Sequence, residues 1–404
     1  MKTIILKILI TYLTFCSITA NNNLFSQTTI AVTPSAYYHL IGDTVKVIVK
    51  ITNVTNMHSV SVTVRFNNSI IKYIKVSNPG GITFGNWLGN QPVNSLVTDS
   101  VIVDQALMGP GLNVNGTDTL FTIFFKALAN GVSPVILKSL DMRDPNNNAI
   151  NSTLDSGHVF IGGLVVNAKV FLQGPYNAGT NLMNNNLNTA GYIPNTHPYN
   201  VSPWYYGGTE SVPSGFISSD TTIVDWVLIE LRTSTPGSST LYRKTGLIKT
   251  NGTIVDCIDG KSPVYFKDTA SGNFYVVIRH RNHLSVMSAG TLFLTNHSPL
   301  YDFTSSLTRI YGGDAFAVNP GVYAMYAGDV NANGQVRYNG SLNDRSYILA
   351  ILNGNQMGII YGYYKEDVNM NAQVRYNGTA NDRSVILLVL GGNQLAVKNT
   401  NVPN

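Results

Sequence analysis

The chain has 404 residues, only 12% of them charged, and a formal net charge of +5. Lys2 and Lys7 supply two of those charges at the N-terminus, and so thin a surplus over the remainder gives no reason to expect a nucleic-acid partner. Abundant Asn, Thr, Ser, Gly and Tyr suit a surface-exposed, mainly β protein better than a cytosolic enzyme.

Residues 1–20 join Lys2 and Lys7 to an apolar run that closes on small residues at Ala20, the pattern of a secretory signal peptide. That run is too short for a membrane span, and no later stretch approaches the roughly 20 apolar residues a span requires. Phe15 stands where processing ahead of a lipid-anchored Cys16 needs a small residue, which argues against a lipoprotein. The mature chain is therefore expected to be secreted, extracellular or at the cell surface. It keeps one cysteine, Cys257, so stability must come from apolar cores and bound ions rather than an internal disulfide. Its length implies roughly two to four domains.

From Thr44 the residues alternate, with Val45, Val47, Val49 and Ile51 on one face, then Val60, Val62, Val64 and Phe66. Further short runs at Ile70–Val76, Leu120–Ala127, Pro134–Leu140 and Gly157–Gly163, with no helical stretch between them, predict a β-sandwich over residues 28–163. This stretch resembles a cohesin module, on Gly42-Asp43-Thr44 leading into the alternating strand, VTVRFNNSIIKYIKV, TDTLFTIFFKALAN, and LDMRDPNNNAI ahead of GHVFI. Asn67-Asn68 stands where that family usually has an Asp-Pro turn. The resemblance implies a jelly roll whose sheet face docks a dockerin, and related sandwiches bind polysaccharide. The plainer alternative is an immunoglobulin-like spacer.

After Gly162-Gly163 a second β pattern fills residues 166–325, with strands at Val224–Arg232 and Asn273–Arg281 and long loops over 176–215, and predicts a second β-sandwich. It resembles a module found ahead of duplicated calcium loops in secreted bacterial proteins, some called haemagglutinin-like, for which no activity is implied. Two features could carry chemistry. RHRNHL places His280 and His283 three apart, and His197 and His297 lie elsewhere. In one strand those two point to opposite faces, which disfavours a shared zinc. The loops also hold Tyr192, Tyr199, Trp204, Tyr205 and Tyr206. Trp204, Tyr205 and Tyr206 form a candidate carbohydrate platform, against which stands simple packing of the rings on their own sandwich. No Gly-x-Ser-x-Gly elbow, His-Glu-x-x-His or phosphate loop occurs, so no catalytic residue is assigned.

Residues 328–356 and 366–394 are a duplication: at an offset of 38, 20 of 29 positions are identical. Each copy opens with oxygen-bearing side chains at alternate positions, Asp329, Asn331 and Asn333, then Asp367, Asn369 and Asn371. A tight loop turns such residues inward, and calcium takes six to eight oxygens at roughly 2.3–2.6 Å. The pair, spanning 326–395, resembles a dockerin, the calcium-dependent partner of cohesins, built of two loop–helix units. In that family the twelfth loop position is acidic, whereas here it is Gly340 or Gly378. Asp344 and Asp382 follow four residues later, where the apolar runs begin, and either close the loops as ligands or cap the helices. Main-chain carbonyls of Gln335 and Gln373 complete the expected sets. Gly334 permits the sharp turn in the first loop but Ala372 stands in the second, so the second site is expected to be weaker.

The expected protein is mainly β, with two β-sandwich domains, the first jelly-roll and cohesin-like, plus a small α-helical dockerin-like module with two calcium loops. Its expected function is secreted, non-catalytic binding and scaffolding through calcium-dependent protein docking, with self-association between copies one route. The alternatives are a carbohydrate-binding adhesin and, behind it, a polysaccharide-degrading enzyme component.

Overall fold

The computed structural model describes residues 27–77, 87–88, 92–93, 99–107 and 109–403. Residues 1–26, which include the expected signal peptide, and much of the stretch between 78 and 98 lie outside the described residues. The chain is mainly β, as its alternation requires.

Two sheets face one another in the N-terminal third. One runs in the order Ser152–Asp155, Thr28–Val32, Thr44–Met57, Val114–Ala127, Ile71–Ser77. The other runs Ala36–His39, Gly157–Ile161, Gly131–Arg143, Ser59–Phe66, Ser100–Leu107, with Trp87–Leu88 beyond and Pro92–Val93 also on the last strand. Val45, Val47, Val49 and Ile51 from the first sheet and Val62 and Val64 from the second are fully buried between them. Thr28–Val32 pairs in parallel with Ser152–Asp155, and Ala36–His39 with Gly157–Ile161, so the ends of the module close each other. Asn67 replaces the Asp-Pro turn by accepting hydrogen bonds from the Ser69 amide (3.0 Å) and hydroxyl (2.6 Å).

The middle of the chain is built on one large sheet, in the order His283–Met287, Gly272–His280, Ile223–Arg232, Thr240–Lys249, Thr253–Val255, Ala168–Lys169, Tyr301–Asp302. Every residue of Ile223–Arg232 is buried, including Asp225, Glu230 and Arg232. The aromatic loops cover this sheet: Tyr199 is fully buried and donates to the Trp226 carbonyl at 2.9 Å, while the Trp226 indole donates to Pro194 at 2.8 Å. Phe160 stacks on Tyr38 at 5.0 Å and meets Tyr265 edge-on at 5.2 Å, and Tyr265 donates to the Ile161 carbonyl, so the first two modules share a small aromatic core.

The C-terminal repeats form a two-fold arrangement. Each copy runs from its loop into a short strand, Gln335–Arg337 or Gln373–Arg375, then a helix, Asp344–Ile351 or Asp382–Val389, then a second strand, Ile359–Tyr361 or Val397–Asn399. The second strand of each copy pairs with the first strand of the other. The structural repeat thus continues past the identical stretch, and its last strand lies beyond residue 395. Val330, Val336 and Ile348 and their counterparts Val368, Val374 and Ile386 are all fully buried in one core, because the same apolar positions meet across the pseudo-axis. Among the described residues no helix is long and apolar enough to cross a membrane.

Candidate metal centre

Alternate side chains of each loop turn inward and cap its amides. Asp329 accepts from Asn333 N and Gly334 N, both at 3.0 Å; Asn331 accepts from Asn333 N at 3.0 Å and Asn333 from Gln335 N at 2.9 Å. The second loop repeats this: Asp367 accepts from Asn371 N (3.0 Å) and Ala372 N (2.9 Å), Asn369 from Asn371 N (3.0 Å), and Asn371 from Gln373 N (2.9 Å). The Asn331 and Asn369 amide nitrogens donate outward to Leu342 and Ala380 carbonyls at 2.8 Å, which fixes their oxygens on the loop side.

Asp344 and Asp382 do not cap the helices. That role belongs to Asn343 and Asn381, whose side chains accept from Ser346 N and Ser384 N at 3.0 Å. The aspartates are the first helical residues, and their carboxylates reach back into the loops. Asp344 accepts from Val330 N and Arg337 N at 2.8 Å, and Asp382 from Val368 N at 2.7 Å and Arg375 N at 2.8 Å. The inserted turn makes this reach possible, with Leu342 and Ala380 in left-handed backbone at φ 54° and 55°.

Each loop therefore holds two carboxylates in one small volume. Asp344, Asp367 and Asp382 are fully buried and Asp329 nearly so. Burial, opposed only in part by the loop amides, lifts Asp329 to about 7 and Asp367 to about 6. Burial and then the Asp329 charge lift Asp344 to about 8, and burial with Asp367 beside it holds Asp382 well above the usual carboxylate range. Arg279 and Arg281 offset part of this at Asp329 and Asp367. Such a pair must take up a proton or face a cation. The donors are carboxylate and amide oxygens, the chemistry calcium takes, although each loop has only two acids and among the described residues no group of three or more His, Cys, Asp or Glu side chains converges. Thr400 N donates to the Gly334 carbonyl at 2.8 Å, so by antiparallel alternation the Gln335 carbonyl points away from its partner strand and is free to ligate.

The two loops sit in different surroundings. Ala372 has φ +72°, the left-handed backbone that its position demands, and is buried with Met370 in the core of the middle module. Burying its methyl contributes about 0.8 kcal/mol, against a conformational cost of ~1–2 kcal/mol. The first loop instead borders a cleft of about 310 Å³, lined by Trp204, Glu230, Arg243, Arg279, His280 and Asp329.

RHRNHL lies at a hairpin, not within one strand. His280 and His283 are cross-strand partners flanking the two-residue turn Arg281-Asn282, and their Nδ1 atoms lie 3.0 Å apart. The opposite-parity expectation fails because the chain reverses between them. Every nitrogen is committed. His283 Nε2 accepts from Gly174 N (3.1 Å), so its Nδ1 carries the proton and faces Asn282 Oδ1 (2.8 Å) and His280 Nδ1. His280 Nε2 donates to Asp225 (3.2 Å). Arg281 donates to Asp225 at 2.9 Å, and Tyr363 of the C-terminal module donates to the same carboxylate at 2.5 Å. Sequence spacing showed the histidines but not this buried polar junction, whose acid, Asp225, lies 55 positions before His280.

The aromatic platform is only partly present. Tyr206 is buried, with its hydroxyl donating to Glu210 at 2.7 Å, and is withdrawn from any ligand. Trp204 is half-buried, edge-on to Tyr199 at 5.1 Å, and lines the cleft; Tyr205 is 70% exposed. The packing alternative accounts for Tyr199 and Tyr206.

No protein-family model matches the chain, and no curated protein matches it. Solved structures that resemble it include a non-cellulosomal cohesin from Archaeoglobus fulgidus, at 20% identity over 34% of this chain and 91% of that one, with a TM-score of 0.29. A chain from a type I cohesin–dockerin complex of Clostridium thermocellum aligns at 19% identity over 33% of this chain and 99% of its own, TM-score 0.29. The solution structure of CaCohA2 from Clostridium acetobutylicum aligns at 17% identity over 33% and 90%, TM-score 0.29.

Proposed function

We propose that this chain is a secreted calcium-dependent docking and scaffolding protein, whose C-terminal repeats bind two calcium ions and present a surface to a protein partner. The observation that carries the reading is the pair of buried, mutually repelling carboxylates in each loop, Asp329 with Asp344 and Asp367 with Asp382, surrounded by inward oxygens. The outward surface of the repeats supports docking. Met357 and Leu395 are 78% and 84% exposed and occupy equivalent positions at the offset of 38, with Leu342 and Leu388 also exposed. These four exposed apolar side chains give a protein partner apolar area to cover. The cohesin-like first module is the natural receptor, in another protein or another copy, and such heterologous contacts propagate as open arrays.

Calorimetric titration of the full mature chain with calcium tests the first step: two ions are expected, with Kd on the order of 10⁻⁴–10⁻³ M. Absence of heat, with unchanged hydrogen exchange in 328–403, overturns it. Light scattering with calcium or chelator, on wild type and Leu395→Asp, reads self-association.

The cleft at the first loop favours carbohydrate binding as a second reading. It combines the Trp204 indole with Arg243, Arg279 and Glu230, in a volume suited to one sugar residue. A polysaccharide pull-down comparing wild type with Trp204→Ala separates the readings, since loss of retention is expected only for a glycan held in this cleft.

A further inference from the structure

The turn Arg281-Asn282 of the middle module sits between the two loops and contacts both. Gly328 N, just before Asp329, donates to the Asn282 carbonyl at 2.9 Å. The Asn282 side-chain amide donates to the carbonyls of Lys365 (3.0 Å) and Asp367 (2.8 Å), at the start of the second loop. Its amide oxygen faces His283 Nδ1, so both polar atoms of the side chain are used, and the residue is fully buried. Arg281 spans the same boundary, paired with Asp225 on one side and donating to the Tyr364 carbonyl on the other, with its guanidinium 4.3 Å over the Tyr363 ring. Leu284, next along the strand, is part of the core of the repeats, and its amide donates to Tyr326 at 2.8 Å.

We propose that Asn282 is a positioning residue for both calcium sites. The repeats and the middle module then form one cooperative calcium-binding body rather than a free-standing docking module on a tether. The inference rests on the calcium reading and goes beyond it. One residue holds the entry of loop one through its main-chain carbonyl and the entry of loop two through its side-chain amide. Ordering either loop around an ion therefore pre-orders the turn that the other loop needs, and the second ion binds at lower conformational cost. The same contacts transmit the ion's effect into the middle module, because His283 of this hairpin accepts from the Gly174 amide and the hairpin's own Leu284 amide donates to the Tyr326 carbonyl.

The test uses the full mature chain and calcium itself. In wild type, two ions should bind with positive cooperativity, and Asp344→Asn, which disables the first loop, should weaken the remaining site several-fold. In Asn282→Ala, which removes the side-chain amide but keeps the main-chain carbonyl, the second loop's affinity should drop about five- to tenfold and the first loop's by less, and Asp344→Asn should no longer affect the second loop. Hydrogen exchange on wild type gives a readout that needs no variant: calcium should slow exchange at Gly174 and Leu284 as well as within 328–403. Two ions bound independently, unchanged in Asn282→Ala, with new protection confined to 328–403, would overturn the coupling while leaving the calcium reading standing. No binding at all overturns the calcium reading itself.

Discussion

Asp344→Asn tests the loop-closing role most sharply, because a ligand and a structural strut respond with opposite signs. In the calcium-free fold the Asp344 carboxyl is raised from 3.8 to about 8, by burial first and then by the Asp329 charge, against the Arg337, Val330 and Asn331 amides that lower it. Because the folded value is raised, no cost arises below about pH 4, and the cost grows until the pH passes about 8. At pH 7 the gap of about three pH units corresponds to roughly 4 kcal/mol against folding. Asparagine removes that cost. Its NH₂ then faces an amide that now donates to the carboxylate, from Val330 or Arg337, and leaving that donor unpaired costs roughly 1–3 kcal/mol. The calcium-free variant should therefore be more stable than wild type by about 1–3 kcal/mol. With calcium in excess of the millimolar range the order should reverse, since wild type gains binding free energy that the variant has lost. Urea unfolding at pH 7, in chelator and in calcium, reads both. A variant less stable than wild type in chelator, still binding two ions, would show that Asp344 only ties Val330 and Arg337 together.

Replacing Arg281→Met leaves Asp225 charged and buried beside His280 and Tyr363, and should cost roughly 3–5 kcal/mol in thermal unfolding; adding Asp225→Asn should recover at least half of it, and no recovery argues that Arg281 acts by packing alone. His283 is held well below 6.5 by burial, then by His280 and Arg281, so its contribution is complete above pH 6.5 and falls away as the pH drops below it. Against His283→Gln, which keeps an acceptor for Gly174 N but takes up no proton, wild type in saturating calcium should lose up to about 1.4 kcal/mol more for each pH unit below 6.5; parallel profiles refute this. Asp225, lowered to about 2, adds acid sensitivity only between about pH 4 and 2. Ending the chain at Leu395 removes the strand Val397–Asn399 from Gln335–Arg337, strips Val402 from its small core, and takes the Pro403 carbonyl from the buried Arg232 (2.7 Å). That truncation should cost about 2–4 kcal/mol and weaken the first calcium site more than the second, as read by calorimetry.

Alternation and repetition were legible from the residues alone. Val45 to Ile51 and Val60 to Phe66 face the core because strand side chains alternate, and a half-buried sheet leaves that period in the sequence. The inward oxygens of Asp329, Asn331 and Asn333 follow equally from local loop geometry, whereas the expectation of an acid beyond position twelve came from the resemblance to dockerins. Tertiary packing decided what depends on distant partners. Asp225, Arg281 and Tyr363 meet on one carboxylate although they lie far apart in the chain, and nothing in their local sequence requires it. Tyr206 and Tyr199 became core rather than surface because their hydroxyls find Glu210 and the Trp226 carbonyl when the loop folds back on the sheet. The duplication made the two acidic loops near-copies that differ in sequence at Gly334 and Ala372, but their different surroundings come from the fold, which packs Met370 and Ala372 into the middle module and leaves the first loop beside an open cleft. Burial is a property of what lies across the chain, and a repeat unit carries no local record of which face its neighbours will cover.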